Sequence, residues 1–390
     1  MNMAMQRTVR IRLRPDAETA ALFAETVARF TSSFNVVAEE GWRTGVANGI
    51  ELHKATYYPE RTRTGLPAQL VCAARVKATE ALKSARALAA KEMKRPEDKR
   101  RLPSRPQSAH CSIRYDARSY RVDLAAGAAA LLTLDGRRAV TFAFSTYHRR
   151  YADWRTASAD LCRDRQGRWW LHVVVVAPAA VAEPTDETIG VDLGLVHPAT
   201  DSRGEHHGSD HWRKVEERTH NLRRRLQAKG TRSAKRHLKR LSGKQGRFRR
   251  DCDHVISRRL VASVQPGATL VFEDLTDIRG RVPSRKEQRR RLHGWSFAQL
   301  QGFVAYKAQA QGVTVGYVAP RYTSQRCSAC GHRERANRPS QAHFRCVSCG
   351  FACDADHNAS MNIRQDYLAA RAAVSPPIVP APRQGQASGL

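Results

Sequence analysis

The sequence predicts a chain of the α/β plus β-barrel class. A small N-terminal barrel with a helical unit precedes an α/β domain that carries a four-cysteine insert. Three observations predict this. Short alternating strands crowd residues 112–178, and one more lies at 6–14. From residue 186 onward, apolar strands alternate with helical stretches. Two CxxC pairs, at 327–330 and 346–349, then interrupt that second pattern. On length alone 390 residues make two or three domains, and an apolar share of 41% is enough for ordinary cores.

The first strand, QRTVRIRLR (6–14), alternates strictly, with Val9, Ile11 and Leu13 on one face and Arg10, Arg12 and Arg14 on the other. That is a half-buried strand with a basic outer face. Pro15 and Asp16 end it. Leu22, Phe23, Val27, Phe30, Phe34 and Val37 then recur at helical spacing, and a second, Ala-rich helical stretch covers about 66–95. PEDKRRLPSRPQ (96–107) reads as a charged, Pro-containing linker. The segments SIRYD, SYRVDL, AALLTL, RAVTFAF, ASADLC and RWWLHVVVV read as strands of a small barrel that strand 6–14 joins. No catalytic constellation stands out in this part. Its Arg-dominated charge points to a grip on nucleic acid.

In the second half, ETIGVDL is followed by a short hairpin (VHPATDSRGEHHG), a long basic helical region and the buried strand ATLVFEDL (268–275). A helix over 288–311, the strand VTVGYV (313–318), the Cys-rich insert and a final helix complete it. Strand, hairpin, helix, strand, helix is the order of an RNase H-like domain. The tail from Ser375 is rich in Pro, Gly, Ser and Gln, and is expected to be disordered.

Lys plus Arg number 67 against 36 Asp plus Glu, a net charge of +31, so the expected partner is a polyanion, with nucleic acid the default. The longest apolar run, Leu171–Ala182, is too short for a membrane span, and no membrane partner is expected. The opening residues carry charges where a secretory signal needs an apolar stretch, so a cytoplasmic protein is expected. Residues 213–250 hold 16 Lys/Arg against 2 Glu. Arg223, Arg224, Arg225, Lys235, Arg236, Lys239 and Arg240 wind around a helix there. A second cluster, Arg279–Arg291, includes Arg289 and Arg290. Both read as clamps on phosphate backbones, which position a duplex and read no sequence.

Cys327, Cys330, Cys346 and Cys349 form two pairs with 15 residues between them, the spacing of a tetrahedral zinc site. Four thiolates leave no open position, so this Zn²⁺ is expected to be structural. Three acids form the other constellation. Asp192 in VDLG and Glu273 in LVFEDL end apolar strands, and Asp356 in DADHNASMNI opens the final helix. Alone, each also reads as a helix cap or a surface acid. Converged on one sheet edge, they could hold two Mg²⁺ ions, or Mn²⁺, for phosphodiester hydrolysis.

VDLG, FEDL, RYTSQRCSACGH, NRPSQAHFRCVSCG and DADHNASMNI together resemble the transposon-encoded TnpB nucleases and the miniature type V CRISPR effectors related to them. The resemblance runs over about 186–365. It implies a RuvC-like nuclease domain with Asp192, Glu273 and Asp356 as its metal-binding triad. It also implies a wedge-like β-barrel interrupted by a helical recognition lobe. The implied division is a first barrel strand at 1–14, the lobe at 15–107 and the barrel at 108–180. The RuvC-like domain then covers 186–319, the zinc ribbon 320–353 and the last RuvC-like segment 354–372. The implied activity is an RNA-guided, Mg²⁺-dependent cut of double-stranded DNA beside a short flanking motif. Guide RNA and target DNA are the implied partners, in the nucleoid of a prokaryote. Where TnpB often has Asp-Arg-Asp, Ala355 stands between Asp354 and Asp356, which leaves Asp354 as the reserve third acid. The alternatives are a strand-transferring transposase, a catalytically silent RNA-guided binder and a bare zinc-ribbon module. The guide source and oligomeric state stay open.

Overall fold

Alternation carries the N-terminal part into three dimensions. Val9, Ile11 and Leu13 of β1 (Ala4–Arg14) are all buried, while their Arg neighbours face out. The computed structural model describes residues 4–194, 196–276 and 296–374. The chain divides into two units, 1–178 and 179–390.

In the first unit Asp16 ends β1 and caps α1 (Ala17–Arg43) by accepting the Thr19 N–H. Then follow α2 (Gly49–Thr64), α3 (Ala68–Met93), β2 (Ile113–Tyr115), β3 (Tyr120–Asp123), β4 (Ala128–Thr133), β5 (Gly136–Phe142), β6 (Arg155–Arg163) and β7 (Trp169–Pro178). The seven strands order as β2-β6-β7-β1-β5-β4-β3. β1 lies antiparallel to both neighbours, with Val9 opposite Val173 and Leu13 opposite Phe142. The edge strands β2 and β3 are joined by one turn, and the Tyr115 hydroxyl donates to Leu132 O on β4, so the sheet curls into the expected barrel. The helix α2 falls outside the two expected helical stretches. Its inward face is Leu52, Thr56, Glu60 and Thr64, which hydrophobic periodicity cannot register.

The second unit runs β8 (Thr188–Asp192), β9 (Ala199–Asp201), β10 (His206–His207), α4 (Asp210–Lys229), α5 (Arg232–Ala262), β11 (Thr269–Glu273), α6 (Phe297–Ala310), β12 (Thr314–Val318), β13 (His343–Arg345), β14 (Ala352–Asp354) and α7 (Ala355–Val374). Its main sheet orders as β10-β9-β8-β11-β12. β8, β11 and β12 are parallel, and β9 and β10 return antiparallel. This is the RNase H-like arrangement. Ile256, Leu260, Leu300 and Val304 of α5 and α6 cover one face of the sheet.

The basic region is two helices rather than one. Gly230 takes the left-handed conformation that ends α4, and the Thr231 hydroxyl accepts the Ala234 N–H to start α5. Of the expected helix 288–311, the described part is α6. The remainder, the 279–291 cluster with Arg289 and Arg290, and the tail from Ser375 lie outside the described residues.

The last helix, α7, lies directly on β8. A Cβ at Gly190 would run into the Ser360 carbonyl and stand 2.7 Å from the Arg364 N, so only glycine lets helix and strand meet. Arg364 Nε also donates to Thr188 O at 2.8 Å. Gly190→Ala should therefore lift α7 off β8 at a cost of about 1–3 kcal/mol or more. Urea denaturation of the two proteins, with an unchanged midpoint counting against this packing, checks it.

Candidate active site

Strand register builds the first half of the site. Val191 pairs with Phe272 across the parallel β8–β11 ladder, so Asp192 and Glu273 follow side by side at the two C-terminal ends. Neighbouring strands lie about 4.8 Å apart. Asp356 reaches the same edge from the first turn of α7. Just past β8, the Gly194 N–H donates to His197 O at 3.1 Å, and a Cβ at Gly194 would stand 3.5 Å from Asp356 Oδ2. The turn after Asp192 therefore runs against the third acid.

All three carboxyls hold their protons more tightly than free carboxylates do. Burial pushes Asp192 well up, and the charges of Glu273 and Asp356 add to it. Burial also raises Glu273, opposed by the Thr323 hydroxyl, which donates to Glu273 Oε1. Asp356, 8% exposed, is raised by burial and held back by Arg338, whose Nη2 lies 3.1 Å from its Oδ1. Three buried like charges are costly unless a cation joins them. The oxygens stand wider apart than the two tight ligand-type groups among the described residues, which gather within 4.8 Å. One of those groups is Asp201, Glu205 and His207 on the β9–β10 hairpin, where His207 Nε2 lies 3.0 Å from Asp201 Oδ2.

Asp354 has a different task from the one its sequence position allows. Its Oδ1 accepts the N–H groups of Asp356 and His357, both at 3.0 Å, and so caps α7.

The other tight group is Cys327, Cys330, Cys346 and Cys349. Sγ of Cys327 lies 3.7 Å from that of Cys349, and Cys330 lies 3.6 Å from Cys346. Zn–S bonds of about 2.3 Å in a tetrahedron put sulfurs roughly 3.8 Å apart, so the four thiols can hold a zinc ion. Buried Asn337 ties the two knuckles together. Its Nδ2 donates to Gln325 O and His332 O, and its Oδ1 accepts the Val347 N–H. The insert also reaches the acids, through Thr323 and Arg338. Sequence reasoning missed both, because neither stands in a ligand-type pattern.

Arg223, Arg224, Arg225, Lys235, Arg236, Lys239 and Arg240 are all exposed on α4 and α5, whose contact is sealed by Leu226, Ala234 and an Arg249–Glu216 ion pair. They surround the seam of the helical hairpin and stand apart from the acids in sequence.

Two family models match the chain. "Probable transposase" matches residues 172–276, and "Cas12f1-like, TNB domain" matches residues 297–363. Cas12f1 of Sulfoacidibacillus thermotolerans, a CRISPR-associated endodeoxyribonuclease, is 34% identical over 227 residues, covering 53% of this chain and 52% of the relative. A TnpB-like protein of Methanocaldococcus jannaschii is 36% identical over 128 residues, 32% of this chain and 45% of the relative. Over about half of its length or less, the chain is similar in sequence to these Cas12f1 and TnpB-like relatives. It spans about half the length of the curated relatives it matches. In structure, Cas12f1 from a cryo-EM complex with sgRNA and target DNA superposes with a TM-score of 0.62 at 17% identity, over 89% of this chain and 83% of the other. The likeness of fold to Cas12f1 thus extends through both units, including the N-terminal barrel, where sequence motifs are absent.

The raised carboxyls set a sign for stability against pH. Each folded-state value lies above the unfolded one, so the stability they contribute is present at low pH and lost as pH rises through the raised values. In EDTA at pH 7.5, Asp192→Asn should be about 1–3 kcal/mol more stable than the wild type, or roughly 3–10 °C in Tm, with a smaller gain at pH 5. Thermal melts at both pH values check this. A variant that melts lower at pH 7.5 would show that the acids do not repel one another.

Proposed function

We propose that the chain is an RNA-guided DNA endonuclease with Asp192, Glu273 and Asp356 as its catalytic acids. The observation that carries this reading is the β8–β11 register, which sets two buried carboxylates side by side where α7 delivers a third. A set of hard oxygen donors, whose one ion-pair partner among the described residues is Arg338 on Asp356, suits Mg²⁺, or Mn²⁺, and not a soft metal. Bound there, two such ions would activate water and stabilise the leaving oxygen of a phosphodiester. Asp192 and Glu273 would hold the ions from the sheet edge, and Asp356 from the helix. Thr323 fixes the Glu273 carboxylate by donating to it, and Arg338 offsets the charge on Asp356.

The four cysteines would hold one structural Zn²⁺. The α4–α5 hairpin would grip phosphates along the guide RNA and its target strand. In the N-terminal unit a cleft of about 460 Å³, lined by Arg12, Arg14, Arg163 and Arg168, supports a second grip. Base pairing with the guide would choose the sequence, and the protein would hold the heteroduplex by its backbone beside a short flanking motif of the double-stranded target. The site of action is the nucleoid of a prokaryotic cell. Strand transfer is the second reading, favoured by the "Probable transposase" match over 172–276. Joined rather than free DNA ends among the products would select it.

With Mg²⁺ and a guide-matched duplex, Asp192→Ala should abolish cutting of both strands and leave guide-dependent binding within about threefold. Cleavage assays and gel shifts decide this, and wild-type cutting by the variant, or cutting in EDTA, overturns the proposal. Reversing Arg236 and Lys239 to Glu should flatten the salt dependence of nucleic-acid binding, since each phosphate contact adds roughly 0.9 to the log–log slope on duplex DNA. An unchanged slope in affinity measurements from 50 to 200 mM salt would make these helices plain solvated surface.

A further inference from the structure

The chain leaves β12 at Val318 and, four residues on, reaches Tyr322, the only non-glycine residue with a positive φ (68°) among the described residues. A bulky side chain takes this left-handed conformation only where its surroundings enforce it, and such positions cluster at functional sites. The enforcement is on view. Tyr322 O accepts the N–H groups of Gln325 at 3.0 Å and Arg326 at 2.9 Å. Asn362 of α7 donates to Thr323 O, and Asn358 donates to Arg326 O. The kink separates the fates of two neighbours. Thr323, 3% exposed, donates its hydroxyl to Glu273, while Tyr322 is 36% exposed.

The exposed ring is flanked by cations. The Arg333 guanidinium lies 4.0 Å from its centroid and that of Arg321 lies 5.1 Å away. Neither guanidinium has a carboxylate partner among the described residues, and both side chains are exposed. A cation–π cluster made only to brace the insert would gain most from burial, where water does not weaken it. This one stands in water, one residue from a side chain that touches a catalytic acid.

We propose that Tyr322 with Arg321 and Arg333 is a stacking platform for one base of single-stranded DNA, holding the adjoining phosphate over Asp192, Glu273 and Asp356. The proposal rests on the nuclease reading above and adds a positioning site to it. Base–aromatic stacking combined with arginine is the general means of holding single strands without reading sequence. The ligand is a single strand because a base within a duplex has both faces covered. Thr323 then couples the two functions, since the backbone turn that presents the ring also fixes Glu273.

The test uses the whole 390-residue chain in Ca²⁺, with a single-stranded oligodeoxynucleotide carrying 2-aminopurine as the probe. Tyr322→Gly removes the ring and suits the positive φ, so its Tm should equal or exceed that of the wild type. It should bind the probe about tenfold more weakly and lose the fluorescence quenching that stacking causes. Tyr322→Phe should keep both within twofold. In Mg²⁺, guide-directed cleavage should fall with probe binding in Tyr322→Gly and recover in Tyr322→Phe. The proposal is overturned if wild-type protein does not quench the probe, or if Tyr322→Gly binds and quenches like wild type. If the wild type cuts no guide-matched duplex but quenching still depends on Tyr322, the nuclease reading falls and the platform stands. If it cuts and Tyr322→Gly is indistinguishable, the platform alone falls.

Discussion

Everything in the C-terminal unit depends on one burial that is unfavourable by itself. Three carboxylates sit at the edge of an apolar sheet, each pushed toward its protonated form by the loss of water and Asp192 also by the charges of the other two. A fold tolerates such a cluster only when the rest of the unit is stable enough to hold it, and here the support is specific. Parallel pairing fixes two of the acids, and glycine at 190 lets α7 lie close enough to bring the third. Metal ions bound as proposed would offset the cost of that burial.

The cysteine insert belongs to the same machine. It is usual to treat a closed metal knuckle as an independent brace, yet this one reaches out with Thr323 and Arg338 to two of the three acids. Asn358 and Asn362 donate to backbone carbonyls at the start of the insert from α7, the helix whose first turn holds Asp356. The insert and the acid cluster therefore share a helix, and disorder in one must be felt by the other.

How much of this was legible beforehand follows from the range of each signal. Period-two alternation is local, so β1 could be read from Val9, Ile11 and Leu13 alone. The ends of β8 and β11 were legible because an acid after an apolar run is conspicuous. The helix α2 was not, because its buried face is Leu52, Thr56, Glu60 and Thr64, with the Glu60 charge answered by Arg63 and Pro59 inside the helix. Treating 213–250 as one helix overlooked Gly230, which ends α4 in the left-handed conformation. Thr323 and Arg338 were out of reach for another reason. They act across 50 and 18 residues of sequence, and nothing in their local pattern marks them.

The strand register also governs how such a chain can change length. A single residue gained or lost inside β8 or β11 would turn one acid to the opposite face of the sheet, because side chains alternate at every step. Changes of length that keep the two acids side by side must therefore fall outside these strands. The tip at Gly230 is the natural place. Among the described residues nothing lies within 4 Å of the position a Cβ would take there, and the helix ends that flank it are exposed. New modules grafted at that tip, by evolution or by design, would enlarge the protein without shifting the register that sets Asp192 beside Glu273.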